Sequence, residues 1–448
     1  MEDYRYPFLD FLDFFQGLYF LRIEALHLNI AFLFIFLIII YAISSARKVS
    51  HSFVFLYFVL SPFNNPAFQI FNLSFSDIFG ILALLSTLLS KPADLIPKSR
   101  IFIILYFSIC SIIFYSLFLF NYYDLNFNGD SNFLLRLVVL LKPLLLIILG
   151  NLFFISYENN LGLIKKLIFY SSLSMIFVYF IQFILYKFFY ILTFGSFINS
   201  TFQNINVDFM SFGSVSIERG HFGKFSAFFL PIVFYYCTQN YKFMRFLFPA
   251  IAFLNFSTSS IFYMTIYSFI LLISFGIKRF IFKHSAIFLA LLFFSIIYLF
   301  LFFIDLVNMT DKLVEFGIYG GNGSGRGLEI LMDYLEHFPL GFGYGGSTFR
   351  TVDGFPEINS GIFAILSQLS IVGLSFLIIF IIYIYYLYLN AKVYDSFDPS
   401  FIFLRTGILL LPIAFIVDPL IFNVAPWFIF FCFISASAHN QSSIRYSS

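Results

Sequence analysis

Apolar runs of about 20 residues recur from one end of the chain to the other, and each is long enough to cross roughly 30 Å of hydrocarbon as a helix. Candidate spans lie near 28 to 45, 52 to 70, 75 to 90, 101 to 120, 133 to 155, 165 to 190, 222 to 239, 244 to 258, 260 to 277, 285 to 304, 360 to 389, 402 to 418 and 422 to 438. The pattern predicts an all-α, polytopic integral membrane protein with about 12 to 14 transmembrane helices. A single helical membrane domain covers residues 1 to 448. The spans near 52 to 70 and 244 to 258 are short or interrupted by proline, and residues 8 to 21 (FLDFLDFFQGLYFL) read as an interfacial helix or the start of a further span.

Polar positions between the spans carry the orientation. Arg47 and Lys48; Lys91, Lys98 and Arg100; Lys165 and Lys166; Lys242 and Arg245; Lys278, Arg279 and Lys283; and Lys392 fall in every second loop. Cytoplasmic loops carry an excess of Lys and Arg, so these loops are expected inside. The loops of opposite parity include the two longest, 192 to 221 and 305 to 359, which are expected outside the cytoplasm and are where chemistry is sought.

Composition agrees with this reading and narrows the function classes. The chain is 61% hydrophobic and 11% charged, with a mean hydropathy of +0.94, whereas a soluble domain carries roughly 25% charged residues. A formal net charge of +2, with its cations scattered among loops, gives no basic face for nucleic acid. Cys110, Cys237 and Cys432 lie inside apolar runs without metal-ligand spacing and read as small core hydrophobes. The six His residues never fall in HExxH spacing, and no DxD pair, GxSxG elbow or Walker loop is present, so neither a metal nor a cofactor is expected. The first spans are expected to act as the targeting signal.

Three groups of residues are candidates for chemistry. In the second long loop, RGLEILMDYLEHFPLGFGYGG (326 to 346) reads as a short helix stopped by Pro339. It carries Arg326, Glu329, Asp333 and either Glu336 or His337 at helical spacing, and Leu328, Leu331 and Leu335 as an apolar stripe. The plain alternative is a solvated face on a surface helix. GFGYGG fits G-x-G-x-x-G, but no strand precedes it and no βαβ unit surrounds it, so a bend returning the chain to the bilayer is expected at Gly341 and Gly343 rather than a nucleotide site. The first long loop ends in Glu218, Arg219 and His221 at the mouth of a span, with Lys224 a turn further on. Arginine is permanently protonated and offers a planar fork of donors, which suits a diphosphate. Contact with lipid headgroups is the alternative. Lys142, beside Pro143 near mid-membrane, is costly unless paired or hydrated, and so is a functional candidate by its depth. An ion pair with Asp77 or Asp418 is its structural alternative.

Several segments resemble the superfamily of O-antigen polymerases and O-antigen ligases. They are ERGHFG at the opening of a span, NFSTSS (255 to 260), the GRG…HFPLGFGYGG loop, NSGIFAILSQLSIVGL and FNVAPWFIFF, together with the earlier LSFSDIFGILALL (73 to 85). The resemblance covers roughly residues 200 to 438. It implies a fold similar to C-type glycosyltransferases, and transfer of an oligosaccharide from undecaprenyl pyrophosphate to an acceptor at the outer face of a bacterial cytoplasmic membrane. Membrane lipid and a chain-length regulator are the implied partners. Arg219 and Arg326 match the two external-loop arginines expected to engage the pyrophosphate. Glu218 and His221 join them as catalytic candidates, with Lys142, Lys224, Glu329, His337, Gly341 and Gly343 assigned to substrate binding. Ligases of this kind usually carry a His before the Asn near residue 359, where this chain has Ile358 and Asn359. That departure favours a polymerase over the alternative of a ligase. A flippase or transporter is the alternative of another class, and the internal repeat it would predict is not seen.

Overall fold

The computed structural model describes residues 26–63, 69–70, 73–97, 99–123, 133–189, 196–198, 210–212, 214–216, 219–237, 241–254, 258–275, 328–344, 361–417 and 423–447. Described helices occupy twelve of the expected spans, and the span near 285 to 304 and the segment 8 to 21 lie outside the described residues. Four helical stretches are long and apolar enough to cross a bilayer, and several shorter apolar helices accompany them, which fits a multi-pass, all-α membrane protein. Large apolar side chains stand on the outer surface, among them Leu89 at 89% exposure and Ile371 at 73%. A water-soluble surface does not carry so much apolar area, but hydrocarbon accepts it. Exposed serines on such helices satisfy their own hydroxyls: Ser108 donates to the Ile104 carbonyl at 2.8 Å and Ser111 to that of Phe107 at 2.9 Å.

Contacts gather into two compact units, Met1–Lys91 with Ile155–Leu291, and Pro92–Phe154 with Leu292–Ser448. The described helices of the first are α1 (Leu26–Ser45), α2 (Val49–Val59) and α3 (Phe75–Ser90), then α6 (Leu161–Phe189), α7 (Arg219–Cys237), α8 (Met244–Leu254) and α9 (Thr258–Phe275). The second holds α4 (Arg100–Tyr122), most of α5 (Phe133–Tyr157), α10 (Leu328–His337), α11 (Gly361–Asn390), α12 (Phe401–Gly407), α13 (Leu410–Val417) and α14 (Val424–Ser447). Two short antiparallel hairpins, β1 (Gln69–Ile70) with β2 (Leu73–Ser74) and β3 (Ser196–Ile198) with β4 (Met210–Phe212), belong to the first unit.

In the first unit the basic loops share one end. Arg47 donates to the Asn159 side chain at 3.0 Å, the Asn160 and His51 side chains hydrogen-bond at 3.3 Å, and Lys166 lies 5.6 Å above the Tyr41 ring. Phe169 stacks on Tyr241 at 3.8 Å, which brings the loop before α8 to the same end.

The α2 helix starts at that end but stops at Val59, well short of the span expected over 52 to 70. Its 11 residues reach roughly 16 Å, about half the hydrocarbon thickness. No residue from Val54 to Leu60 exceeds 1% exposure. Irregular backbone at this depth survives only when its polar groups are satisfied inside the protein. Serine hydroxyls supply the donors: Ser76 to the Tyr57 carbonyl at 2.6 Å, Ser171 to that of Val59 at 2.9 Å, and Ser216 to that of Pro62 at 2.9 Å. Beyond the hairpin, Ser74 caps α3 by accepting from the Asp77 amide at 3.1 Å, while its hydroxyl donates to the Asp77 carboxylate at 2.8 Å. The first bond satisfies an amide that the first turn leaves open, and the second fixes the Asp77 carboxylate beside the helix start.

The second unit is knit by aromatic rings. Phe431 of α14 stacks with Phe102 of α4 at 5.9 Å, and it fills the space beside Gly150 of α5, where a Cβ would come within 2.4 Å of the ring. Trp427 packs against Phe380 and Phe415. The expected span over 402 to 418 is two short helices, α12 and α13, parted by a turn at Ile408 and Leu409. Arg405 in α12 is 2% exposed and forms a forked ion pair with Asp395, at 3.2 Å through Nε and 2.7 Å through Nη2, with its guanidinium 4.6 Å from the Tyr388 ring.

The expected span over 360 to 389 is present as α11, but Ser370 interrupts it with φ 52 and ψ −144. A non-glycine residue held there costs about 1–3 kcal/mol and persists only where its surroundings impose it.

Candidate functional site

Both expected chemical regions are mounted on interrupted spans. In the first unit the chain reaches α7 through the turn Ser214–Ser216, which is fully buried. Ser214 takes a left-handed conformation, φ 50, fixed from two sides. Its amide donates to Gln182 Oε1 at 2.8 Å and its hydroxyl to the Met175 carbonyl at 2.8 Å, both on α6. Two residues on, Ser216 holds the Pro62 carbonyl beyond α2. Met175 is 14 residues past the start of α6, roughly 21 Å along a helix. The turn that launches α7 is therefore sunk to about mid-depth of that helix bundle.

Arg219 and His221 fall in the first turn of α7, where unsatisfied backbone amides and the helix dipole favour an anion. Their side chains, and Glu218 altogether, lie outside the described residues. Lys224 follows a turn later and is half-buried. Its neighbour Phe222 is buried and stacks on Tyr179 of α6 at 5.9 Å, which fixes the rotation of this turn.

The second unit carries the other group. Over 328 to 337 the expected amphipathic helix is present as α10. Leu331 and Tyr334 are buried, and Tyr334, Phe338 and Phe342 form a cluster with Ala364, Phe363 and Tyr123. Asp333, Glu336 and His337 are exposed on the opposite side. His337 Nδ1 donates to the Asp333 carbonyl at 2.9 Å, so in the neutral ring Nε2 is the basic nitrogen. Arg326 and the side chain of Glu329 lie outside the described residues, although the Glu329 backbone is in the first turn of α10.

After α10 the loop docks into the break in α11. The Phe342 amide donates to the Ser367 carbonyl at 3.1 Å and the Gly343 amide to the Gln368 carbonyl at 2.8 Å, while Ser370 Oγ donates to the Pro339 carbonyl at 2.9 Å. From α4, Tyr115 donates its hydroxyl to the Leu340 carbonyl at 2.9 Å, and the Tyr123 hydroxyl accepts from the Leu340 amide at 3.1 Å. Ser116 accepts the Tyr344 amide at 2.9 Å. Burial holds the Tyr344 phenol above its ordinary value, so it stays neutral.

Glycine is required twice here. Gly341 has φ 87 and Gly343 φ 90, and a Cβ would lie 2.4 Å from the Gln368 carbonyl oxygen at the first and 2.5 Å from the Phe120 ring at the second. Over its described part, Gly341–Tyr344, the motif is thus a close-approach loop packed onto α4 and α11.

Of the ten residues proposed from sequence, Arg219, His221 and Lys224 share α7. His337, Gly341 and Gly343 sit on α10 and its docked loop, and Lys142 is half-buried on α5 beside Pro143. Asp77, one of the two partners considered for Lys142, closes the capping pair of α3; the other, Asp418, lies outside the described residues. Sequence reasoning missed the serines that hold the geometry, Ser214, Ser216 and Ser370, and the hydroxyls of Tyr115 and Tyr123. The signal was there as polar residues inside apolar runs, Ser367, Gln368 and Ser370 above all. Comparison with family models, with curated proteins and with solved structures finds no match for this chain.

Proposed function

We propose that this protein is a polysaccharide polymerase of the bacterial cytoplasmic membrane, moving an oligosaccharide from undecaprenyl pyrophosphate onto a lipid-linked acceptor at the outer face. The observation that carries the reading is the mount of α7: a turn pinned by Ser214 and Ser216 at mid-depth presents a helix N-terminus bearing Arg219 and His221, with Lys224 a turn behind. A fixed helix N-terminus, whose sequence places cationic residues in its first turns, suits negative charge that grows on a leaving diphosphate.

In the proposed reaction an acceptor sugar hydroxyl attacks the anomeric carbon. The bond from that carbon to the pyrophosphate oxygen breaks, and the departing lipid pyrophosphate is met by the arginines that the resemblance assigns to it, Arg219 and Arg326. The hydroxyl proton passes to a base, for which Glu218, His221 and Glu329 are the candidates. Direct displacement inverts the anomeric configuration. In this scheme His337 and Lys142 remain candidates for substrate binding, while Gly341 and Gly343 act by shaping the docked loop.

One observation favours a second reading. Helices interrupted within the membrane, like α2 and α11, are common around the binding sites of transporters, so a flippase for the same lipid-linked glycan is the rival. The test is complementation of a polymerase-deficient host that makes the matching repeat unit, comparing wild type with Arg219→Ala and Arg326→Ala at equal membrane expression. Polymerisation predicts a polysaccharide ladder from wild type that collapses to single repeats in both variants. Full ladders from both variants reject the site, and repeats that stay inside even with wild type point to the flippase.

A further inference from the structure

We propose that the break in α11 is a two-state switch, in which the loop Pro339–Tyr344 and the downstream half of α11 compete for the same backbone carbonyls. In a continuous helix the Ser367 carbonyl accepts from the amide of residue 371 and the Gln368 carbonyl from that of residue 372. Here those two carbonyls receive the amides of Phe342 and Gly343. Ser370 sits between the two halves in a conformation that no helix contains, φ 52 and ψ −144, and its hydroxyl is turned to the loop at Pro339.

The docked state is held from several directions. Tyr115 and Tyr123 grip Leu340, Ser116 takes the Tyr344 amide, and Gly341 leaves room for the Gln368 carbonyl where a Cβ would not fit. A strained residue opposed by a handful of hydrogen bonds is the balance expected of a bistable element. When the loop leaves, Ser370 relaxes into helical geometry and α11 becomes continuous across residues 367–372. Undocking also releases α10, with Glu329 and the exposed Asp333, Glu336 and His337, from its anchor on α11. The switch does not rest on the transfer reaction, and a transporter would use it equally well.

Hydrogen–deuterium exchange of the full-length protein in nanodiscs tests it, following the amides of Phe342 and Gly343 against those of Ile371 and Val372. Ser370→Gly removes the cost of the broken geometry, which outweighs the single hydroxyl bond to the Pro339 carbonyl lost with it. It should slow exchange of the loop amides by roughly tenfold and speed that of Ile371 and Val372. Gly341→Ala places a Cβ against the Gln368 carbonyl and should do the reverse, exposing the loop and protecting Ile371 and Val372. If Gly341→Ala does not give folded protein, Ser370→Gly alone decides the matter. Changes of the same sign in both segments, or a change in the loop with none at Ile371 and Val372, overturn the switch and leave a fixed kink.

Discussion

The serines around α2 offer the sharpest test of the structure, because they are small, uncharged and placed where the membrane supplies no water. Ser76, Ser171 and Ser216 each give a hydroxyl proton to a carbonyl of the interrupted segment, those of Tyr57, Val59 and Pro62. Replacing any one by alanine removes a hydrogen bond worth about 0.5–1.5 kcal/mol and leaves a buried carbonyl whose unmet desolvation costs about 1–3 kcal/mol. Hydrogen bonds between membrane helices average only about 0.6 kcal/mol, since an unfolded chain in lipid also finds partners. Weighing the two, each substitution should destabilise the first unit by about 1–2 kcal/mol. Ser108→Ala and Ser111→Ala remove hydroxyls that bond only the preceding turn of their own exposed helix, and should stay within about 0.5 kcal/mol. The assay is thermal unfolding in detergent read by a thiol-reactive dye at Cys237, which is fully buried at the end of α7, in a background with Cys110→Ser and Cys432→Ala. For a unit of the size of the first one about 2–4 °C in Tm corresponds to each kcal/mol. If Ser76→Ala, Ser171→Ala and Ser216→Ala are as neutral as the two controls, water reaches the end of α2 and the hydroxyl clamp is not what allows the helix to stop there.

Two further outcomes follow from packing in the second unit. Arg405→Ala strips the guanidinium from a carboxylate whose side chain is only 20% exposed, and should cost about 3 kcal/mol, the low end for breaking a buried pair. Arg405→Met with Asp395→Leu should return to within about 1 kcal/mol of wild type, both read by dye labelling of the buried Cys432. Gly150→Ala drives a methyl into the Phe431 ring and should destabilise by about 1–3 kcal/mol. Adding Phe431→Leu should recover part of that loss, and a Gly150→Ala variant as stable as wild type would reject the close approach of α5 and α14.

Hydrophobic periodicity made most of the helices legible, because in lipid the length of an apolar run and the length of a spanning helix are nearly the same quantity. The short helix over 328 to 337 was legible for a different reason, its spacing of Leu331 and Leu335 against Asp333, Glu336 and His337. The interruption expected in the span over 52 to 70 was legible in Pro62 and Pro66, but how the end of α2 at Val59 is satisfied at depth is not written in hydropathy. It depends on hydroxyls that arrive from residues 76, 171 and 216, far away in sequence. Arg405 is the converse: a cation inside an apparent span, whose partner Asp395 lies 10 residues back in a connecting turn. Gly341 and Gly343 were read as a bend, and the structure adds what hydropathy could not, that each glycine leaves room for a specific neighbour.

The two irregular regions obey one rule. Each of the two long loops ends its described course in contact with an interrupted helix, and at each contact a serine stands at positive φ, Ser214 with α6 and the end of α2 close by, Ser370 within α11 itself. An uninterrupted span offers only carbonyls already engaged in its own ladder, as Met175 of α6 does to the Ser214 hydroxyl, so a loop amide fixed at depth is held by a side chain such as Gln182 or by a helix that has been broken. Breaking a helix frees up to four carbonyls, and a loop rich in glycine can bring its amides close enough to use them. In the second unit the break in α11 supplies the backbone carbonyls that hold the loop, while the continuous α4 and its cap supply only side-chain hydroxyls, those of Tyr115, Ser116 and Tyr123. The same rule sets a direction for change: a substitution that heals a break, by favouring helix at Ser370, should loosen the loop it holds even though no contact of the loop itself has been altered.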